Sequence, residues 1–307
     1  MRAAGRPHGV LISECVTVAV YTSVIPAKAG IQRRATEVTG SPLSRGRRIS
    51  RSATFALIVL ALTASGAFGQ EHGIPLDQLK SGSAFLGEDL RALQADEFAN
   101  PGMLWVERGA KLWREPAGKK SLACASCHQE VNMRWVAARY PRIDSRSGKL
   151  FDLEGRINLC RVQRMGAEPL RYESDKLLAL TAYLARQSRG VPIAVSIEGP
   201  ARAHFEAGRA SYNLRRGQMN LACSHCHDAN WGKRLLSETI SQGHPNAYPA
   251  YRLEWQTVGS LQRRMRACLS GIRAEMLPYG AQEYLDLELY LAWRAQGLPI
   301  ETPGVRR

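Results

Sequence analysis

The sequence predicts a mainly α-helical protein of two tandem domains that follow a removable leader. Three observations lead there: a basic-then-apolar stretch at 47–69, an internal repeat over the rest of the chain, and apolar residues recurring at helical rather than strand spacing. At 307 residues there is room for about two domains, and 45% hydrophobic with 22% charged residues is a globular composition, not a disordered one.

The leader comes first. Arg47, Arg48 and Arg51 precede ATFALIVLALTASGAFG (53–69), an uncharged run ending in small residues at Ala67 and Gly69. This predicts a secretory signal cleaved near Gln70 and a periplasmic mature protein. A run of 17 residues diluted by Thr, Ser and Gly is short for a membrane span, so none is expected in the mature chain. The RRIS pair is too loose a twin-arginine match to assign the route. Residues 1–45 lie upstream of a complete signal and show no period, so they read as translated upstream sequence; no methionine occurs between Met1 and Met103. Residues 1–69 hold nine Lys+Arg and two Asp+Glu, which leaves about +8 of the formal +15 for the mature protein. That excess suits small anions or acidic partners, and without a nucleic-acid motif it excludes nucleic acid as a partner.

The repeat follows. ERGAKLWREPAGKKSLACASCH (107–128) aligns with EAGRASYNLRRGQMNLACSHCH (206–227), each with 15 residues from glycine to first cysteine, and LTAYLARQSRGVPI (180–193) aligns with LELYLAWRAQGLPI (287–300). These matches predict domains at 70–190 and 191–307. Ser174 is a helix cap, with Leu177, Leu180, Tyr183 and Leu184 at helical spacing after it; Tyr284, Leu287 and Leu291 repeat the pattern. Gly and Pro predict loops at 141–156 and 241–250, and SRGVPIAVSIEGPA (188–201) reads as the linker.

Each repeat carries C-x-x-C-H: Cys124, Cys127 and His128, then Cys223, Cys226 and His227. This is the attachment signature of haem c, in which two thiols one turn apart add to the vinyl groups and the adjacent imidazole binds iron. A thioredoxin-like reading lacks its strand–turn–helix context, and a zinc site leaves the adjacent histidine unexplained. Two covalently bound haem c groups and two cytochrome c-like domains are therefore expected.

The far-side iron ligand decides what such haems do. Met133 and Met165 in the first repeat, and Met265 and Met276 in the second, are methionine candidates. With Cys15 in the leader and four cysteines in the motifs, Cys160 and Cys268 are left over, at matched places 23 residues before Tyr183 and 22 before Tyr290. A disulfide between them is the ordinary reading for an exported protein. Matched positions favour instead a cysteine over each haem, a donor that lowers the potential.

The CxxCH pair, INLC ending at Cys160 and RRMRACLSGIRAE (263–275) together resemble the SoxA family in its dihaem form, over essentially the whole mature chain. The resemblance implies an L-cysteine S-thiosulfotransferase that joins thiosulfate oxidatively to the cysteine of the carrier SoxYZ, with electrons leaving through the monohaem partner SoxX. It implies Cys160 as distal ligand of the first haem, and Cys268 as distal ligand of the second and catalytic cysteine, found as a persulfide. Arg264, four positions before that cysteine, matches the substrate-binding arginine. The residues support this: a sulfur oxyanion needs fixed positive charge, guanidinium is a planar fork, and i, i+4 residues share a helix face. Arg263, Arg266 and Arg273 read as a solvated or propionate-pairing face, and His204, His225 and His244 as surface or structural histidines.

Competing readings are a dihaem thiosulfate dehydrogenase forming tetrathionate and a plain dihaem electron carrier with methionine ligands. Two spare cysteines and the arginine cluster favour the transferase. A dihaem peroxidase would need an open iron position.

Overall fold

Two long helix pairs organise the molecule, and in each a glycine sets the contact. The computed structural model describes residues 74–307; the predicted signal peptide and the segment before it lie outside them. After α1 (Glu88–Ala95), α2 (Met103–Arg114) packs on α4 (Asp175–Gln187), and in the second repeat α5 (Ala201–Asn213) packs on α8 (Gln282–Arg294). A Cβ at Gly109 of α2 would lie 2.1 Å from the Ala179 carbonyl oxygen, and one at Gly208 of α5 would lie 2.0 Å from that of Asp286. Only glycine lets the two backbones touch. This is the physical content of the repeated glycine 15 residues before each motif.

Along the chain, α3 (Leu153–Cys160) falls between the two members of the first pair, and the single turn α6 (Cys223–His227) and α7 (Leu261–Gly271) fall between those of the second. Short polar residues cap three helices: at α3 the Asp152 carboxylate accepts from Gly155 N at 2.7 Å, at α7 Ser260 Oγ accepts from Arg263 N at 3.1 Å, and at α4 Ser174 Oγ accepts from Leu177 N at 3.4 Å. After Cys160 the helix widens into a π turn, Arg161–Met165, that Gly166 ends at φ 63°.

Strands are short. β1 (Arg142–Ile143) and β2 (Leu150–Phe151) form one hairpin, β3 (Arg234–Leu235) and β4 (Glu238–Thr239) another. β5 (Ala250–Arg252) lies between antiparallel β6 (Thr257–Gly259) and parallel β7 (Gly304–Arg306), with Tyr251 opposite Val258 and Val305. The expected loop at 141–156 therefore holds a hairpin and the start of α3, because Leu150 and Leu153 are buried and anchor it.

The 188–201 segment is not a free linker. Its Val191, Ile193 and Val195 are buried in the core with Phe205, Tyr212 and Tyr290. Its backbone meets the equivalent segment of the second repeat reciprocally. Ile193 N donates to Leu298 O as Ile300 N donates to Val191 O, and Gly190 N donates to Ile300 O as Gly297 N donates to Ile193 O. Exchanging the repeats exchanges the bonds, so the tails meet about a local pseudo-twofold. A second core cluster, with Val106, Trp113, Leu153, Leu177 and Tyr183, belongs to the first repeat.

Three acids are buried where the repeats meet: Asp152, Glu154 and Glu288. Asp152 receives hydrogen bonds from Tyr172 Oη (2.9 Å) and Gln262 Nε2 (3.1 Å), yet burial pushes its pKa up to about 6. Burial, then the charge of Asp152, drives Glu154 and Glu288 well above the ordinary carboxylate range. Among the described residues no helix is long and apolar enough to cross a membrane.

Candidate active site

The second attachment motif and the arginine-flanked cysteine meet at one place. Ala222 N donates to His225 Nδ1 at 3.1 Å, so His225 closes the start of α6. His227 is fixed by backbone: its Nδ1 lies 2.7 Å from the Ser241 carbonyl oxygen and donates to it, which leaves Nε2 its lone pair. Gly243, at φ 75°, lies against the ring, where a Cβ would come within 2.9 Å of Cγ.

Cys268 lies in the last turns of α7, where His227 and Arg264 act on its thiol. Burial pushes that thiol up, but the His227 hydrogen bond and the charges of Arg264, His227 and Arg252 outweigh it, and its pKa falls to about 7. Burial, then the neighbouring Cys268, pushes Cys223 up to about 11 and moves Cys226 the same way. Cys223, Cys226, His227 and Cys268 thus share one site. Arg264, one helical turn before Cys268, has its own pKa raised, chiefly by the Cys268 sulfur. Among the described residues no carboxylate is in ion-pair contact with Arg264, whereas Arg263 lies 3.9 Å from Glu173 and Arg252 lies 3.3 Å from Glu254.

The neighbouring arginines do other work. Arg263 stacks over Trp255 at 4.3 Å, Arg266 stacks over Tyr279 at 4.5 Å and donates to the Leu277 carbonyl, and Arg273 donates to Gln218 Oε1 at 3.3 Å. His204 is paired with Asp286 at 2.7 Å. His244 is buried, and neither ring nitrogen has a partner.

At the first motif, Cys124 packs against the first core cluster and the His128 ring lies 5.9 Å from that of Trp113. Cys160 ends α3 near Tyr140, whose pKa is pushed up to about 12 by burial. Arg156, four residues before Cys160, is paired with Asp144 at 2.9 Å.

All six described cysteines are free of disulfides, so Cys160 and Cys268 are not joined. Met133, Met165 and Met265 are buried and Met276 is exposed. The sulfur that meets His227 is that of Cys268. Sequence reasoning missed Arg252 and Tyr248, which act on this site from β5 and the loop before it. The available signal was the Tyr-Pro pair that stands 20 residues before the spare cysteine in both repeats.

The residues present fit haem c. Two thiols one turn apart, an imidazole with a free lone pair and a facing thiol are an attachment and axial donor set. His244 and Arg294 Nε, buried and without partners, lie beside one another near His227, a surplus of donors that suits an anionic macrocycle.

Comparison with known proteins agrees. Residues 108–193 match the family model described as SoxA/TsdA, cytochrome c domain. The chain is 40% identical over 239 residues to the L-cysteine S-thiosulfotransferase subunit SoxA of Pseudaminobacter salicylatoxidans, covering 77% of this chain and 84% of that one. It is 38% identical to the Rhodovulum sulfidophilum protein of the same name, over 75% of this chain and 81% of that one. The crystal structure of SoxXA from P. pantotrophus contains a chain that superposes with a TM-score of 0.73 at 36% identity, covering 76% of this chain and 88% of that one.

Proposed function

The chain belongs to the SoxA family, and from that premise we propose that it is the haem-bearing subunit of a periplasmic L-cysteine S-thiosulfotransferase. Its cytochrome c domain binds haem covalently. Two haems are proposed, in halves 70–190 and 191–307: one on Cys124 and Cys127 with His128 and Cys160 as axial ligands, the other on Cys223 and Cys226 with His227 and Cys268. The proposed reaction joins a carrier-protein thiol to thiosulfate, forming one sulfur–sulfur bond and releasing one proton and two electrons. The bound haems supply a sink that accepts those electrons one at a time.

The chain's own residues divide the remaining work. Ser241 holds the His227 proton on Nδ1, so Nε2 is always the nitrogen presented. Arg264 binds the sulfonate end of thiosulfate and favours the thiolate form of Cys268. The Cys268 sulfur bonds to the outer sulfur of thiosulfate, and the carrier thiolate then takes that sulfur unit and releases the Cys268 thiolate. The proposed carrier is SoxYZ and the proposed electron exit is SoxX.

The observation that carries this reading is the convergence of His227, Cys268 and Arg264 on one site. The test incubates the holoprotein and its haem partner with thiosulfate, an electron acceptor and a carrier bearing one cysteine, then weighs the carrier. A carrier heavier by one thiosulfate is expected. An unmodified carrier with tetrathionate as sole product would assign the chain to thiosulfate dehydrogenation.

A further inference from the structure

A cavity of about 90 Å³ lies where the two repeats meet, and its wall is built twice. Aligned on Cys160 and Cys268, Tyr140 matches Tyr248 and Leu153 matches Leu261; aligned on Tyr183 and Tyr290, Ile193 matches Ile300. All six line the cavity, which therefore sits at the local pseudo-twofold. Two acids break the symmetry. In the same alignments Glu154 stands opposite Gln262 and Glu288 opposite Thr181, and both glutamates line the cavity while only 9% and 8% exposed.

A further lining residue points to what this space holds. Asn246 is 1% exposed; its Nδ2 donates to Ser81 Oγ at 3.0 Å and to the Pro299 carbonyl at 2.8 Å, while its Oδ1 is buried and has no partner in the protein. A buried acceptor of this kind calls for a donor, which a water or a protonated carboxyl supplies. The volume admits several waters at about 10–15 Å³ each. No Lys, Arg or His lines the cavity. Besides the phenols of Tyr140 and Tyr248, the titratable and charged groups that act on the glutamates are Asp152 at the cap of α3 and Tyr172 and Glu173 before α4, with Glu173 3.9 Å from Arg263 of α7. Burial and the Asp152 charge both favour the neutral acids.

The cavity is also placed evenly between the two proposed iron-binding cysteines. Glu154 lies in the first turn of α3, which ends at Cys160, and Leu261 opens α7, which carries Cys268. At the helical rise per residue, these lining residues are about 9 Å and about 10 Å along their helices from the two cysteines.

We propose that Glu154, Glu288 and Asn246 form a buried, hydrated proton-binding site shared by the two halves, which takes up a proton when an electron enters either of them. The electron comes from the proposed oxidation that joins thiosulfate to the carrier thiol, and the proton comes from solvent. One carboxylate becomes a carboxylic acid, and no bond to substrate changes. A negative charge arriving about 10 Å away, with no cation in the cavity wall to answer it, raises the proton affinity of the pair. This rests on the two-haem reading and adds to it the group that balances charge between one-electron steps.

The test follows the midpoint potentials of both haems against pH in the holoprotein, parent against Glu154→Gln/Glu288→Gln, whose amides keep the shape and do not titrate. In the parent both potentials should fall as pH rises above the ordinary carboxylate range, because the reduced protein binds the proton more tightly. In the variant both slopes should flatten. The reduced-minus-oxidised infrared difference spectrum of the parent should carry a protonated-carboxyl band that the variant lacks. A uniform offset of the potentials with both slopes intact is what a merely structural pair gives, and it overturns the inference, as does a slope change confined to one haem. If the double variant fails to hold haem, the infrared band decides: its absence from the parent, or its persistence unmoved in each single variant, overturns the inference. Counting haems by intact mass separates the two readings. A single haem defeats the two-haem reading, whereas two haems with unaltered slopes defeat the proton site alone.

Discussion

Replacing Arg264 with alanine is the sharpest perturbation of the proposed chemistry. Among the described residues no carboxylate is in ion-pair contact with this guanidinium, so thiosulfate breaks no ion pair when it arrives, although the charges of Glu238 and Glu254 act on Arg264 from farther off. The side chain is half-buried, which keeps the interaction above the surface range yet below that of a dry site. Hydrogen bonds to charged groups contribute about 1.5–3 kcal/mol, so kcat/KM for thiosulfate should fall about 10–150-fold. A second consequence reinforces the first. Arg264 is among the charges that hold the Cys268 thiol at about 7, so the variant's rate should recover partly as pH is raised. The assay is steady-state turnover against thiosulfate at several pH values, with the haem spectrum recorded alongside. Unchanged kcat/KM with an unchanged spectrum would refute the placement of substrate at Arg264.

Three further outcomes test the architecture. Gly208→Ala puts a methyl group 2.0 Å from the Asp286 carbonyl oxygen and 2.9 Å from Tyr290 Cβ; separating α5 from α8 should cost about 1–3 kcal/mol, seen as a lower Tm of the holoprotein, and an unaltered Tm would contradict the helix contact. Ser260→Ala removes the cap of the helix carrying Arg264 and Cys268 and should cost about 1 kcal/mol in denaturant unfolding with little change in kcat; equal loss of kcat would mean the cap sets chemistry as well. The pKa of Asp152 is raised from 3.8 to about 6, so its contribution to stability is full below about pH 4 and is lost as pH rises through about 6, by up to ~3 kcal/mol. Asp152→Asn should flatten that decline in an unfolding series across pH, and an undiminished slope would assign the titration to Glu154 and Glu288 alone.

Much of this molecule is legible in the sequence where the signal is local. Cys223, Cys226 and His227 are adjacent, Arg264 and Cys268 are one turn apart, and Ser174 sits just before a periodic apolar run; in each case spacing alone fixes the geometry. The mainly helical fold follows from the same periodicity. What the sequence hides is delivered by long-range packing. Arg252 reaches the site only because β5 pairs with β7, a strand some fifty residues away at the C-terminal end. Glu154 and Glu288 look like solvated helix positions, and their burial depends on the two repeats meeting face to face. The 188–201 segment reads as a linker because its glycines and prolines interrupt every period, while Val191, Ile193 and Val195 alternate inward only once the other repeat's tail is beside them.

The account turns on Cys268 being the sulfur that faces His227 across the second haem. Low-temperature electron paramagnetic resonance of the oxidised holoprotein, compared with its Cys268→Met variant, tests this directly. Two low-spin thiolate-type signals are expected in the parent, with one of them lost in the variant and the other, assigned to Cys160, unmoved. A parent spectrum of methionine-ligated haem, or two signals indifferent to the substitution, would contradict it.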